Sequence, residues 1–143
     1  MLHISQLIKL SPLFLDTSLF IYLFEDHPVY ASAIQPVFDA LSSDKMSAYS
    51  SIITVSEVLT KPIENKGFEL TKKYQEIFLH LPNLTIASPT YDIAVQAAII
   101  RARYKFQLID CFQLALASHY QCLAFLTNDK KLKKFKDLRI ILL

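Results

Sequence analysis

The chain has 143 residues, 52% of them hydrophobic, and a formal net charge of +2. That is the length of one domain with ample apolar content for a core, and so small a charge does not by itself imply binding to nucleic acid. The single glycine, Gly67, excludes both the glycine-rich dinucleotide turn and the phosphate-cradling loop, so nicotinamide and ATP enzymes of those types drop out. Cys111 and Cys122 are too few for a disulfide framework and are expected to stay reduced. Asp16 interrupts the apolar N-terminal stretch, no small-residue cleavage site follows it, and no charge-free run elsewhere is long enough to span a membrane. A cytoplasmic protein without membrane association is the expectation.

Residues 1–11 read as a tail or frayed lead-in, because Gln6 and Lys9 break any clean alternation. Leu13, Phe14 and Leu15 form a short continuous apolar run, as a strand buried on both faces does, and the run stops at Asp16. Residues 17–24 read as a helix. Glu25, Asp26 and Pro28 separate it from a second helix over residues 29–41, where Ala33, Val37, Phe38 and Leu41 recur at helical spacing and Pro36 predicts a kink or break. Residues 46–49 read as a second parallel strand. In residues 51–60, Ile52, Val55, Val58 and Leu59 share one helical face with Glu57 beside it, and Lys61-Pro62 is expected to end that helix. After Gly67, residues 68–81 form a helix with Tyr74, Ile77, Phe78 and Leu81 inward.

Residues 84–87 are strand-like, and Pro89-Thr90 opens a helix rich in alanine and isoleucine. Arg101, Arg103 and Lys105 place positive charge in its last turn, where the helix dipole favours it. Asp110 opens a helix over residues 111–120, and an apolar strand over residues 123–126 ends at Thr127-Asn128-Asp129. A short lysine-rich helix and a last strand over residues 139–143 follow. Strands alternate with helices throughout, which predicts a single α/β domain over residues 1–143 with a central parallel sheet covered on both faces.

Four acids stand at comparable junctions. Asp16 and Asp129 each follow a strand directly, while Glu57 and Asp110 belong to helices that run over the sheet. Taken singly, Asp16, Asp110 and Asp129 also suit helix caps and Glu57 a solvent-facing position. The ends of parallel strands converge on a common crevice, however, so acids far apart in sequence can meet there. Four negative charges in one hollow require either raised pKa values with coupled proton uptake or a divalent cation. Oxygen ligands without a cysteine or histidine partner suit magnesium or manganese, not zinc. Such an ion activates water and neutralises charge on a phosphoryl oxygen, so phosphodiester hydrolysis is the reaction that fits best.

Leu15-Asp16-Thr17-Ser18, Ser56-Glu57-Val58-Leu59 with Lys61-Pro62, Ile109-Asp110-Cys111-Phe112-Gln113-Leu114-Ala115 and Leu126-Thr127-Asn128-Asp129 occur in that order. In these motifs the chain resembles the PIN-domain ribonucleases, and among them the small VapC-type toxins. The resemblance implies a three-layer α/β/α domain with a central, mainly parallel sheet, and RNA cleavage dependent on Mg2+ or Mn2+. It also implies that Asp16, Glu57 and Asp110 are the principal metal-site acids and Asp129 the fourth. Ser18, Thr127 and Asn128 are similar to polar residues that orient those acids. A cognate antitoxin that inserts an Arg or Lys among the acids, and a homodimer, are the partners it implies. Family members commonly carry Gly at the position of Lys105, Pro at Ile109 and Ala at Cys111, so the turn into Asp110 is expected to differ in shape; if Lys105 must be left-handed there, it carries a cost of about 1 kcal/mol that glycine would avoid.

Lys130, Lys131, Lys133, Lys134 and Lys136 begin immediately after Asp129, and the first four are candidates for binding RNA phosphates beside the cut; the alternative is a solvated helix face. His3, His27, His80 and His119 share no ligand spacing and read as surface or packing residues. Two rival functions are a PIN-like module that binds RNA or protein without cutting, and a phosphatase using Asp16 as nucleophile. The latter lacks the second Asp that its chemistry usually places where Ser18 stands.

Overall fold

A computed structural model describes residues 3–143 of the chain. Helix α1 (Ile4–Lys9) leads into strand β1 (Leu13–Leu15), followed by α2 (Thr17–Phe24), α3 (Ala31–Ser42), β2 (Ala48–Ser51), α4 (Ile52–Glu64), α5 (Phe68–His80) and β3 (Leu84–Ala87). The second half adds α6 (Tyr91–Tyr104), α7 (Leu108–His119), β4 (Ala124–Thr127), a 3-10 helix (Lys130–Lys134) and β5 (Arg139–Leu142). The five strands make one sheet in the order β3-β2-β1-β4-β5, with every pairing parallel. The chain builds outward from β1 in one direction through β2 and β3, then returns to its other side for β4 and β5. The switch point therefore lies between β1 and β4, where a crevice opens at the carboxyl ends of the strands.

The sheet is buried on both faces because its strands are apolar at successive positions. Leu13 and Leu15 face one cluster, built with Leu19, Phe20, Ile34 and Phe78, whereas Phe14 faces the other, built with Phe125, Leu114 and Ile100. The rings of Phe14 and Phe125 stack across adjacent strands with centroids 5.2 Å apart and planes 3° from parallel. Helices α2 to α5 cover the first face and α6 and α7 the second, giving the expected three-layer α/β/α arrangement.

Several local expectations need correcting. Residues 1 and 2 lie outside the described residues, but from Ile4 the expected lead-in is a helix, because Leu7 finds a buried site in the first cluster. Pro36 does not break α3: both Pro36 and Ser32, whose carbonyl loses its helical partner there, lie on the exposed side where water replaces the missing bond. Nor does Pro62 end α4. Its ring is buried, its carbonyl accepts from Gly67 N at 2.8 Å, and the helix continues to Glu64. Ile52, expected inward, is 48% exposed, since the first residue of α4 precedes the packed turn. Strand β2 begins and ends two residues later than expected, and α7 starts at Leu108, so that Asp110 falls inside its first turn. Among the described residues no helix is long and apolar enough to cross a membrane.

Phe125 is fully buried and half of the pair that joins β1 to β4. Phe125→Ala is expected to lower the unfolding free energy by about 3–5 kcal/mol in urea titrations, through lost burial and an unfilled cavity.

Candidate functional site

Asp16 occupies the first position after β1, in an extended conformation that makes it the N-cap of α2. It is clamped to β4 twice. Its backbone N–H donates to Leu126 O at 3.0 Å, and its Oδ2 accepts from Thr127 Oγ1 at 2.6 Å. Oδ1 accepts from Thr17 N at 2.8 Å, so a carboxylate only 8% exposed is held in one rotamer by two donors. On the far side of β1, Ser50 Oγ donates to Leu15 O at 2.9 Å and fixes the strand end from β2.

Glu57 comes from α4, whose start is fixed by Ser51 Oγ accepting from Thr54 N at 3.2 Å. Thr17 Oγ1 donates to Glu57 Oε1 at 2.7 Å. With its only proton committed to Glu57, Thr17 Oγ1 accepts from Thr54 Oγ1 at 2.8 Å and from Gln113 Nε2 at 3.3 Å. Gln113 lies three residues beyond Asp110 on α7. One threonine hydroxyl thus ties together α2, α4 and α7, the elements that carry Asp16, Glu57 and Asp110. Sequence reasoning passed over both Thr17 and Gln113. The available signals were a hydroxyl directly after the strand-end acid and an amide one turn beyond Asp110 on the same helix face.

The expected supporting residues divide. Thr127 holds Asp16, and its Oγ1 also accepts from Asp129 N at 3.0 Å, joining the first acid to the fourth. Asn128 donates from Nδ2 to Tyr22 OH at 2.9 Å. Ser18 Oγ is buried without a hydrogen-bond partner, so the orienting function expected of it falls to its neighbour Thr17. His27 accepts from Val29 N and Tyr30 N and packs at a tilt against Tyr22 and Tyr30, as a packing histidine does.

The four acids share one electrostatic field. Burial, followed by the charges of Asp16, Asp129 and Glu57, pushes the Asp110 carboxyl up to about 6 from 3.8, against a smaller opposing effect of Lys131. Asp16 is also raised, first by burial and then by Glu57 and Asp129, while the hydrogen bonds from Thr127 and Thr17 act the other way. Glu57 is exposed and Asp129 half-buried, with Asp129 Oδ1 accepting from Lys131 N at 2.9 Å. Among the described residues no three such side chains form a ready coordination set. The donors are nonetheless hard oxygens in excess of nearby positive charge, which fits an open site for magnesium or manganese, ions that keep several waters and need only one or two direct carboxylates.

Asp110 and Asp129 line a cleft of about 300 Å³ together with Gln107, Lys105, Lys131 and Lys134. Of the four candidate lysines, Lys131 and Lys134 face this cleft, whereas Lys130 and Lys133 are exposed and do not line it. Larger hollows of about 490 and 510 Å³ lie between α6 and α7 and among α2, α4 and α5, but neither contains any of the four acids. Charge convergence, not volume, marks the candidate site.

A model of the PIN domain family matches residues 13–138. Among solved structures, the chain is similar to VapBC2 from Rickettsia felis bound to a DNA fragment from its promoter, with 18% identity and a TM-score of 0.73 over 91% of this chain and 97% of that one. It is similar to DNA-bound VapBC from Salmonella typhimurium at 20% identity, with a TM-score of 0.71 over 92% and 98% of the two chains. It also resembles VapC20 from Mycobacterium tuberculosis, a sarcin-ricin loop cleaving toxin, at 16% identity, with a TM-score of 0.68 over 89% and 98%. At these identities the likeness establishes a shared fold. No curated protein sequence matches. The family match runs from β1 through the 3-10 helix and takes in Asp16, Glu57, Asp110 and Asp129, so the chain belongs to the PIN-domain family.

Proposed function

We propose that this protein is a Mg2+- or Mn2+-dependent endoribonuclease that hydrolyses RNA phosphodiester bonds, and that it acts as the toxin of a toxin–antitoxin pair. The observation that carries this reading is that Asp16, Asp129 and Glu57 all act by charge on Asp110, whose carboxyl is raised to about 6 first by burial and then by these acids. Asp16 and Asp110 would hold the ion, with Glu57 and Asp129 completing the site directly or through water. When bound, the ion supplies an activated water and neutralises charge that develops on the phosphoryl oxygens. The protein's part is placement. Thr17, Thr127 and Gln113 fix the carboxylate-bearing elements, and Lys131 and Lys134 attract the strand by its phosphates without reading its sequence.

The toxin reading is supported by the fold shared with the VapBC structures and with a toxin–antitoxin complex from Klebsiella pneumoniae. A basic side chain inserted among these acids would offset their repulsion as a metal ion does, which is the chemistry expected of an inhibitor. A homodimer belongs to the same proposal. The absence of a ready three-donor set among the described residues favours one rival, a PIN-like module that binds RNA or protein without cutting.

Asp16→Asn and Asp110→Asn are expected to reduce manganese-dependent cleavage of a mixed RNA pool to background while leaving the circular dichroism spectrum unchanged. Full turnover in either purified variant would refute the site, and a wild type that binds RNA but never cuts it would favour the binding module. Thr17→Val is expected to lower manganese affinity or turnover by about 10- to 100-fold, with Thr17→Ser close to wild type, as read from rates against manganese concentration. The raised pKa of Asp110 also sets a pH dependence for the metal-free protein. The folded state holds this proton more tightly than the unfolded state, so the associated stability is fully present below pH 3.8 and is lost as pH rises through about 6. Thermal melts in EDTA should therefore show wild type losing stability between about pH 4 and about pH 6 relative to Asp110→Asn, and manganese at pH 7 should restore it.

A further inference from the structure

Among the described residues, six non-glycine residues have positive φ, namely Asp26, Asp44, Lys66, Asn83, Lys105 and Gln121, while the only glycine does not. Of these, Lys105 alone lines the cleft that holds Asp110 and Asp129. It ends α6 at φ 61 and ψ 26, a left-handed conformation that a glycine adopts without steric cost. Its side chain is exposed, and the C-terminal end of α6 already carries Arg101 and Arg103, so a third cation adds little to the helix end itself. The cleft is different. An RNA phosphate that approaches Asp110 and Asp129 meets like charge, and Lys131 and Lys134 both come from the single turn of 3-10 helix. Lys105 brings positive charge to the same cleft from a separate segment, the turn between α6 and α7. It is flanked there by Tyr104 and Phe106, whose rings stack with centroids 5.2 Å apart and planes 7° from parallel.

The geometry points to Lys105 as a positioning residue that holds an RNA phosphate next to the bond being cut, so that the strand is gripped from two segments of the chain. This rests on the nuclease reading above. Lys105→Gly and Lys105→Asn both suit the left-handed backbone and remove the charge, Lys105→Arg keeps it, and Lys66→Gly removes an equivalent left-handed lysine, at φ 56, from outside the cleft. Kinetics are measured on the RNA oligonucleotide whose cut site the mixed-pool assay identifies. Lys105→Gly and Lys105→Asn should raise KM about 3- to 10-fold with kcat within about twofold, and should reduce the slope of log kcat/KM against log salt by about 0.7. Lys105→Arg and Lys66→Gly should match wild type, and no variant with glycine should melt below it. A KM unmoved in Lys105→Gly and Lys105→Asn, or raised equally by Lys66→Gly, overturns the inference while wild-type cleavage keeps the nuclease reading intact. A wild type that cuts no RNA overturns both.

Discussion

The hydroxyl of Thr17 joins α2, α4 and α7, the helices associated with Asp16, Glu57 and Asp110. It donates to Glu57 and accepts from Thr54 and Gln113, and the Thr17 backbone N–H donates to Asp16 Oδ1. Each of these bonds is modest by itself, but those to charged groups are the stronger kind, and they operate in a partly dehydrated hollow where polar bonds are strengthened. Repulsion among acids and cohesion through one hydroxyl are therefore opposed in the same few ångströms. The result is a group of acid-bearing elements held together by hydrogen bonds around one hydroxyl.

The sheet topology makes that opposition possible. Because β1 is the central strand and β4 returns to its free side, Leu15 pairs with Leu126, and Asp16 leaves β1 beside Thr127, the last residue of β4. The Thr127 hydroxyl then serves two acids at once, donating to Asp16 and accepting from Asp129 N. Ordinary helix-start chemistry and candidate site chemistry coincide here. Asp16 caps α2, Asp129 caps the 3-10 helix, and Asp110 lies in the first turn of α7. An acid at a helix N-terminus is stabilised by the dipole, so the fold lowers the cost of holding these charges together by placing them at helix starts.

The basic residues show a comparable division of labour. The 3-10 helix buries Leu132, and this orientation turns Lys131 and Lys134 toward the cleft while Lys130 and Lys133 stay away from it. Lys131 is near enough to lower the Asp110 pKa, yet its effect is smaller than that of the surrounding acids. The cleft thus presents cations at its margin without neutralising its acidic floor.

The sequence by itself determined the layered α/β architecture, the approximate position of every strand, and the acids at the strand and helix junctions. These follow from local rules: apolar runs, helical spacing, caps and the steric limits of φ and ψ. Tertiary structure decided the rest. It set the strand order that puts β1 beside β4, made Thr17 and Gln113 the groups that tie the acids together, left Ser18 without a partner, and kept Pro36 and Pro62 inside intact helices. Periodicity encodes which face of a segment is apolar, but not which distant segment will cover it. A hydroxyl's partner likewise depends on atoms that arrive from elsewhere in the chain only after the core has closed.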